Sequence, residues 1–197
     1  MSAPRILTVP KSVAVLIPIK AFTDAKSRLE EVLDADSRSE LAQQMAATVI
    51  AAAAPLPVTV VCDDEEVSIW ARSQGAAVIK VDEPGLNRAV NQGVTELASS
   101  GYEKIIIAHG DLPRAKNLSQ CANFDGITLV PDRHSDGTPI IVIPAQIGFK
   151  FSYGSGSFAC HVAEAKRLGL KWRTLTNPEL RFDVDSPDDL ADLKDDN

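Results

Sequence analysis

Residues 13–19 read Val-Ala-Val-Leu-Ile-Pro-Ile, a run without a single polar side chain. A strand with one face in water would alternate apolar and polar residues, so an unbroken run of this kind belongs to a strand covered on both faces, as in a parallel sheet between helices. The residues beyond it have the rhythm that such a sheet needs. A polar segment from Lys20, with a helical start over 24–31, leads into a long helix over 37–54, where Leu41, Met45, Thr48, Val49 and Ala52 fall at helical spacing. Strands at 57–62 and 76–81 then alternate with helices at 65–74 and 86–99, and a further apolar strand follows at 104–108. Repeated β-α-β units predict right-handed crossovers and parallel neighbours.

The second half is less regular. The pattern predicts a short helix over 117–123, consecutive strands at 126–131 and 138–144, a loop over 151–156 and a helix over 157–168. Short strands at 171–176 and 180–184 come next, then a closing helix that opens on Ser186-Pro187-Asp188-Asp189, with Ser at the cap and acids in the first turn. Two strands with no helix between them predict at least one antiparallel member in an otherwise parallel sheet. No repeat or linker divides the chain, so a single domain over 1–197 is expected, with fraying at 1–11 and 195–197.

Composition narrows the function classes. Charged residues make up 24% of the chain and the formal net charge is −7, with no stripe of Lys and Arg, which argues against nucleic-acid binding. No segment approaches the ~20 apolar residues of a membrane span and the first twelve residues carry no apolar signal core, so a cytoplasmic protein without membrane partners is expected. Cys62, Cys121 and Cys160 form no paired spacing, which argues against a disulfide framework or a zinc site. Charge is unevenly spread: residues 1–50 carry six basic and six acidic side chains, residues 181–197 two basic and seven acidic.

Asp183 and Asp185 sit one residue apart on a segment where Phe182 and Val184 alternate with them, so both carboxylates share a face and can hold a divalent cation. Asp111 follows the strand at 104–108, at the sheet edge where open α/β folds bind ligands, and would add a third carboxylate. Lys20, Lys26 and Arg28 supply three cations directly after the first strand, suited to phosphates. Each signal has a structural alternative: a turn cap at Asp111, an acidic tail at 183–185, a solvated helix face at 20–28. Tyr153-Gly154-Ser155-Gly156-Ser157 leads into a helix and allows close backbone approach to an anion, or is a plain loop with a Ser cap. Asn87 opens the helix at 86–99, where it caps the helix or meets a nucleotide.

Taken in order from about residue 13 to 193, Pro18-Ile19-Lys20, Ala25-Lys26-Ser27-Arg28-Leu29, Gly85-Leu86-Asn87, Gly110-Asp111-Leu112-Pro113, Pro131-Asp132-Arg133, Asp136-Gly137-Thr138, Gly154-Ser155-Gly156-Ser157-Phe158 with His161, and Asp183-Val184-Asp185-Ser186-Pro187-Asp188-Asp189-Leu190 resemble one family. It is that of the 2-phospho-L-lactate or phosphoenolpyruvate guanylyltransferases of deazaflavin coenzyme biosynthesis. The resemblance implies a Rossmann-like α/β fold, a mixed, mostly parallel sheet with helices on both faces, similar to nucleotide-diphospho-sugar transferases. It implies a reaction in which the phosphate of a small phosphorylated carboxylic acid attacks the α-phosphorus of GTP and releases pyrophosphate. Carried onto this sequence, Asp111, Asp183 and Asp185 would hold Mg²⁺ and, with Lys26, form the catalytic set. Lys20, Lys26 and Arg28 would face the nucleotide phosphates, Asn87 the base or ribose, and Thr138, Gly154 and Ser157 the carboxylate end of the acceptor. Pro139 stands where the family often has Asn, and His109-Gly110 precedes Asp-Leu-Pro in place of an apolar or small pair. Sugar-phosphate or molybdopterin nucleotidyltransferases of similar fold are an alternative, although they open with a glycine-rich loop and residues 20–28 contain no glycine. A nucleotide-binding regulatory domain without turnover is another, and a homodimer is left open.

Overall fold

A computed structural model describes residues 13–195. The elements run β1 (Val13–Pro18), α1 (Ala35–Ala52), β2 (Val58–Cys62), α2 (Glu65–Ser73), β3 (Ala77–Lys80), α3 (Leu86–Ser99), β4 (Lys104–Ala108), β5 (Ile127–Val130), β6 (Ile140–Pro144), α4 (Ser157–Arg167), β7 (Trp172–Thr174) and α5 (Pro187–Asp195). The expected fraying at 1–11 and 196–197 lies outside the described residues, while α5 continues through Asp195. The strands form a seven-stranded sheet in the order β3-β2-β1-β4-β6-β5-β7. β1 pairs in parallel with β2 and β4, β2 with β3 and β5 with β7, whereas β6 is antiparallel to both β4 and β5. This is the mixed, mostly parallel sheet that the sequence predicts.

The continuous apolar runs separate into two layers because side chains alternate across a strand. Val13, Val15 and Ile17 pack with Val49 of α1 and Val67 of α2 on one face, while Ala14 and Leu16 pack with Val90 and Leu97 of α3 on the other. Asp34 and Asp64 fix where α1 and α2 begin, each accepting from the backbone N–H three residues on, at 2.7 and 2.9 Å. Gly93 brings α3 close to β1, since a Cβ there would lie 2.7 Å from both terminal carbons of the fully buried Leu16. Gly93→Ala is therefore expected to destabilise the fold by about 1–2 kcal/mol despite the better helix propensity of Ala. Urea unfolding checks this, and a stabilised variant would show that Leu16 repacks freely.

Three expected elements differ. The helical start over 24–31 is instead a pair of 3₁₀ turns, Phe22–Asp24 and Ser27–Leu29, separated by Lys26 at a left-handed φ of +53°. The expected helix at 117–123 is likewise 3₁₀. The expected strand at 180–184 joins no ladder among the described residues: a 3₁₀ turn covers Pro178–Leu180, and residues 182–185 have no regular secondary structure. The backbone N–H of Asp185 bonds to the Asp189 carboxylate instead. No helix among the described residues is long and apolar enough to cross a membrane.

Candidate active site

β1 sits between β2 on one side and β4 on the other, which makes its carboxyl end a topological switch point, where crossovers diverge and leave a crevice. A cleft of about 700 Å³ opens there, lined by Lys20 after β1, Cys62 and Asp63 after β2, and His109 and Asp111 after β4. The segment 20–28 forms one wall because Phe22 and Ala25 are buried beneath it, with the Phe22 ring edge-on to Trp70 at 5.0 Å. That anchoring, and the left-handed turn at Lys26, send the lysine side chain inward.

Lys26 is the centre of the charge arrangement. Its Nζ donates to Asp111 Oδ2 at 2.8 Å and to Asp185 Oδ1 at 2.9 Å, and its side chain is only 9% exposed. Burial opposes the ammonium, but the two carboxylates outweigh it and hold the pKa above the usual lysine range. Asp111 is in turn held below the usual carboxylate range: burial would raise it, and Lys26 and His109 more than offset that. Arg28 stands outside, 80% exposed, with Nη1 3.8 Å from Asp185 Oδ2. Lys20 is exposed on the cleft wall.

Asp183 takes the opposite shift. Burial first, then the like charges of Asp111 and Asp185, push its carboxyl up to about 7. One buried oxygen of Asp111, Oδ1, has no hydrogen-bond partner among the described residues. Among the described residues no three carboxylate, imidazole or thiol groups are preassembled around a common ion position, and the ammonium of Lys26 lies between two of the three acids. A strained acid and an orphaned carboxylate oxygen beside it nevertheless mark a place with more negative charge than the protein itself neutralises, and hard oxygen donors suit Mg²⁺.

Local chemistry explains how Asp185 is aimed. Asp189 Oδ2 accepts from the backbone N–H of Asp185 at 2.9 Å and of Ser186 at 2.8 Å, while Ser186 Oγ accepts from Asp189 N–H at 3.3 Å, a reciprocal cap on α5. Arg133 pairs with Asp189 and, at 3.0 Å, with Asp192. Phe182 is fully buried between the guanidinium groups of Arg114 and Arg133, at 3.7 and 4.3 Å from the ring centre. With Val184 it joins Leu29, Met45 and Leu190 in a small apolar cluster, so the alternation of apolar and acidic residues survives without a strand. The Ser-x-x-Asp cap was legible in the sequence, but the work of Asp189 on Asp185 was not.

The residues expected on the acceptor side form a separate cluster. Thr138 and Ser157 are buried with their hydroxyl oxygens 3.4 Å apart, and Thr138 Oγ1 is 3.0 Å from His161 Nδ1. Because Ser152 N–H donates to His161 Nε2 at 3.0 Å, the ring proton resides on Nδ1, and burial lowers the His161 pKa to about 4, which keeps the ring neutral. Gly154 is exposed at φ +131°, in the loop before α4. None of these three expected contacts lies on the wall of the main cleft. The Asn87 amide accepts from Tyr153 N–H at 2.7 Å and donates to Tyr153 O at 3.3 Å, so both of its ends tie the loop to α3.

Residues 13–194 match the family described as "Guanylyl transferase CofC like". The chain belongs to the CofC-like guanylyl transferase family. Within that family it is 33% identical to the phosphoenolpyruvate guanylyltransferase of Rubrobacter xylanophilus, over 93% of this chain and 94% of that protein. It is 28% identical to the 2-phospho-L-lactate guanylyltransferase of Methanocaldococcus jannaschii, over 91% and 81% respectively. Among solved structures, a candidate nucleotide-diphospho-sugar transferase from Desulfovibrio desulfuricans G20 has a TM-score of 0.74 at 16% identity, covering 92% of this chain and 85% of that one. A Methanothermobacter nucleotidyl transferase has a TM-score of 0.67 at 14% identity, covering 94% and 97%. At such identities the structural likeness speaks for the fold alone, and it is the fold that the CofC-like sequence implies.

Proposed function

We propose that the protein transfers GMP from GTP to the phosphate of a small phosphorylated carboxylic acid, phosphoenolpyruvate or 2-phospho-L-lactate, with release of pyrophosphate, and that it serves deazaflavin coenzyme biosynthesis. The carrying observation is the Lys26 ammonium held between Asp111 and Asp185 on the cleft wall, with Asp183 strained by their charges. An attacking phosphate oxygen is already anionic, so the reaction needs no general base; its barrier is the approach of two anions in a protein of net charge −7. Lys20 and Arg28, exposed around the cleft, offer positive charge to the triphosphate. Lys26 fixes the orientation of two carboxylates and removes part of their repulsion for the substrates.

Asp111, Asp183 and Asp185 are the residues that would hold Mg²⁺, and Asp111 Oδ1 is an oxygen with no competing partner among the described residues. When bound, Mg²⁺ supplies charge neutralisation and a common template for both phosphates. The acceptor carboxylate is assigned to Thr138, Gly154 and Ser157 on the strength of the family resemblance; at the start of α4 the Gly156 and Phe158 N–H groups already donate to Asp136, so an anion bound there would have to displace it. Relatives at 33 and 35% identity are named for phosphoenolpyruvate and one at 28% for 2-phospho-L-lactate, which favours phosphoenolpyruvate as the acceptor. Incubating the protein with Mg²⁺, each nucleoside triphosphate and a panel of phosphorylated three-carbon acids should give pyrophosphate with GTP and one or both acids. No pyrophosphate from GTP with any member of the panel would overturn this reading.

A further inference from the structure

The cleft has two chemically different ends. The charged end lies over β4, where Lys26, Asp111 and Asp185 meet. The other lies over the carboxyl ends of β2 and β3, two and three strand spacings from β4 in the sheet order, about 10 to 14 Å. A nucleotide with its phosphates at the first end would extend its base toward the second. That second end is mostly apolar, with Val81, Pro84 and Leu86 on its walls. Leu86 opens α3 and is 38% exposed, a large apolar side chain that faces the cleft without being covered. Such a surface fits the flat face of a base.

One carboxylate breaks this apolar lining. Asp63 follows β2 directly and is half-buried, and its side chain makes no hydrogen bond or ion pair with the described residues. Its neighbours are already committed. Asp64 caps α2 through Val67 N–H at 2.9 Å, Lys80 pairs with Glu65, and the buried Cys62 thiol donates to Asp64 O, with burial raising its pKa so that it stays neutral. Asp63 is thus an acceptor aimed at no protein donor, in a cleft that the rest of the lining makes suitable for a base.

We propose that Asp63 selects the base by accepting hydrogen bonds from the N1–H and the exocyclic N2–H of guanine. Those two donors lie side by side on one edge, so a single carboxylate can take both in parallel, and a charged acceptor strengthens each bond. Adenine presents a lone pair at N1 and no amino group at C2, so the same carboxylate repels it; selection comes from the mismatch as well as from the match. The proposal rests on the guanylyltransferase reading for its nucleotide and adds the residue that distinguishes that nucleotide from others.

Asp63→Asn tests it, because an amide offers one acceptor and one donor and matches the N1–H and C2 carbonyl of xanthine. The variant should raise KM for GTP about a hundredfold with kcat little changed, and should use xanthosine triphosphate better than GTP, reversing the wild-type order. In the wild type, inosine triphosphate, which lacks the 2-amino group, should lose about tenfold in kcat/KM against GTP. An unchanged GTP-to-xanthosine-triphosphate ratio in the variant, or an equal loss with both, would overturn the assignment and leave Asp63 a ribose contact or a structural residue. The inosine comparison needs no substitution and stands even if the variant folds poorly. If the wild type makes no pyrophosphate from any triphosphate, the reaction reading fails; calorimetric binding of guanosine and xanthosine nucleotides to both proteins then still decides the role of Asp63.

Discussion

Lys26→Met is expected to abolish measurable turnover and to lower folded stability by about 3 kcal/mol. The substitution keeps an unbranched side chain of similar length but removes the ammonium that bonds Asp111 and Asp185 at 2.8 and 2.9 Å. Asp185 is about half exposed and can re-solvate, so most of the loss should arise at Asp111, whose Oδ1 already lacks a partner among the described residues. Denaturant unfolding and a pyrophosphate assay measure the two effects separately. Mg²⁺ should then raise the melting temperature of the variant more than that of the wild type, because Asp111 and Asp185 are left without their internal cation. A variant of wild-type stability would mean that the ion pairs contribute nothing to the fold, and one of wild-type turnover would remove Lys26 from the site.

Asp183→Asn should do the reverse to stability while losing about a hundredfold or more in turnover. In the folded chain Asp183 keeps its proton up to about pH 7, whereas an unfolded aspartate loses it near 3.8. Between those values the folded state binds more protons, so the stabilising contribution is complete below the lower value and is lost as pH rises through the higher one. Asn cannot ionise and escapes that loss. Above pH 7 the variant should therefore be more stable by about 1–2 kcal/mol, a figure that allows for solvent screening at a partly exposed carboxylate. Unfolding curves from pH 4 to 9, with and without a chelator, should show a wild-type decline that the variant lacks and that Mg²⁺ suppresses. A less stable variant would show that Asp183 is held by favourable contacts, and retained turnover would remove it from the metal set.

These two residues also mark where sequence pattern stops being informative. The run at 13–19 specifies a strand buried on both faces, and β1 is that strand. Asp34 and Asp64 announce α1 and α2 through short-range caps that require only neighbours in the chain. Phe182 and Val184 indicate a buried apolar side beneath Asp183 and Asp185, and both are buried. Failures occurred where partners lie far away. The segment 180–184 has strand-like composition, but a strand exists only when another edge is free to pair with it, and the hydrogen bonds here go to Asp189. The partner of the Asn87 amide, Tyr153, stands 66 residues further on and is likewise out of reach of sequence pattern.

Sequence alone determined the alternating α/β architecture, the family and the acidic and basic residues available for phosphate chemistry, because periodicity, caps and residue type are local properties. Tertiary structure decided what those residues do to one another. Lys26 meets Asp111 and Asp185 across 85 and 159 residues of chain, so only the crossovers that set β1 beside β4 could turn a lysine expected to face phosphates into the internal cation of a carboxylate cluster. The same burial and convergence lift Asp183 and hold Asp111 down, since a pKa depends on distance and desolvation and neither is written in the order of residues.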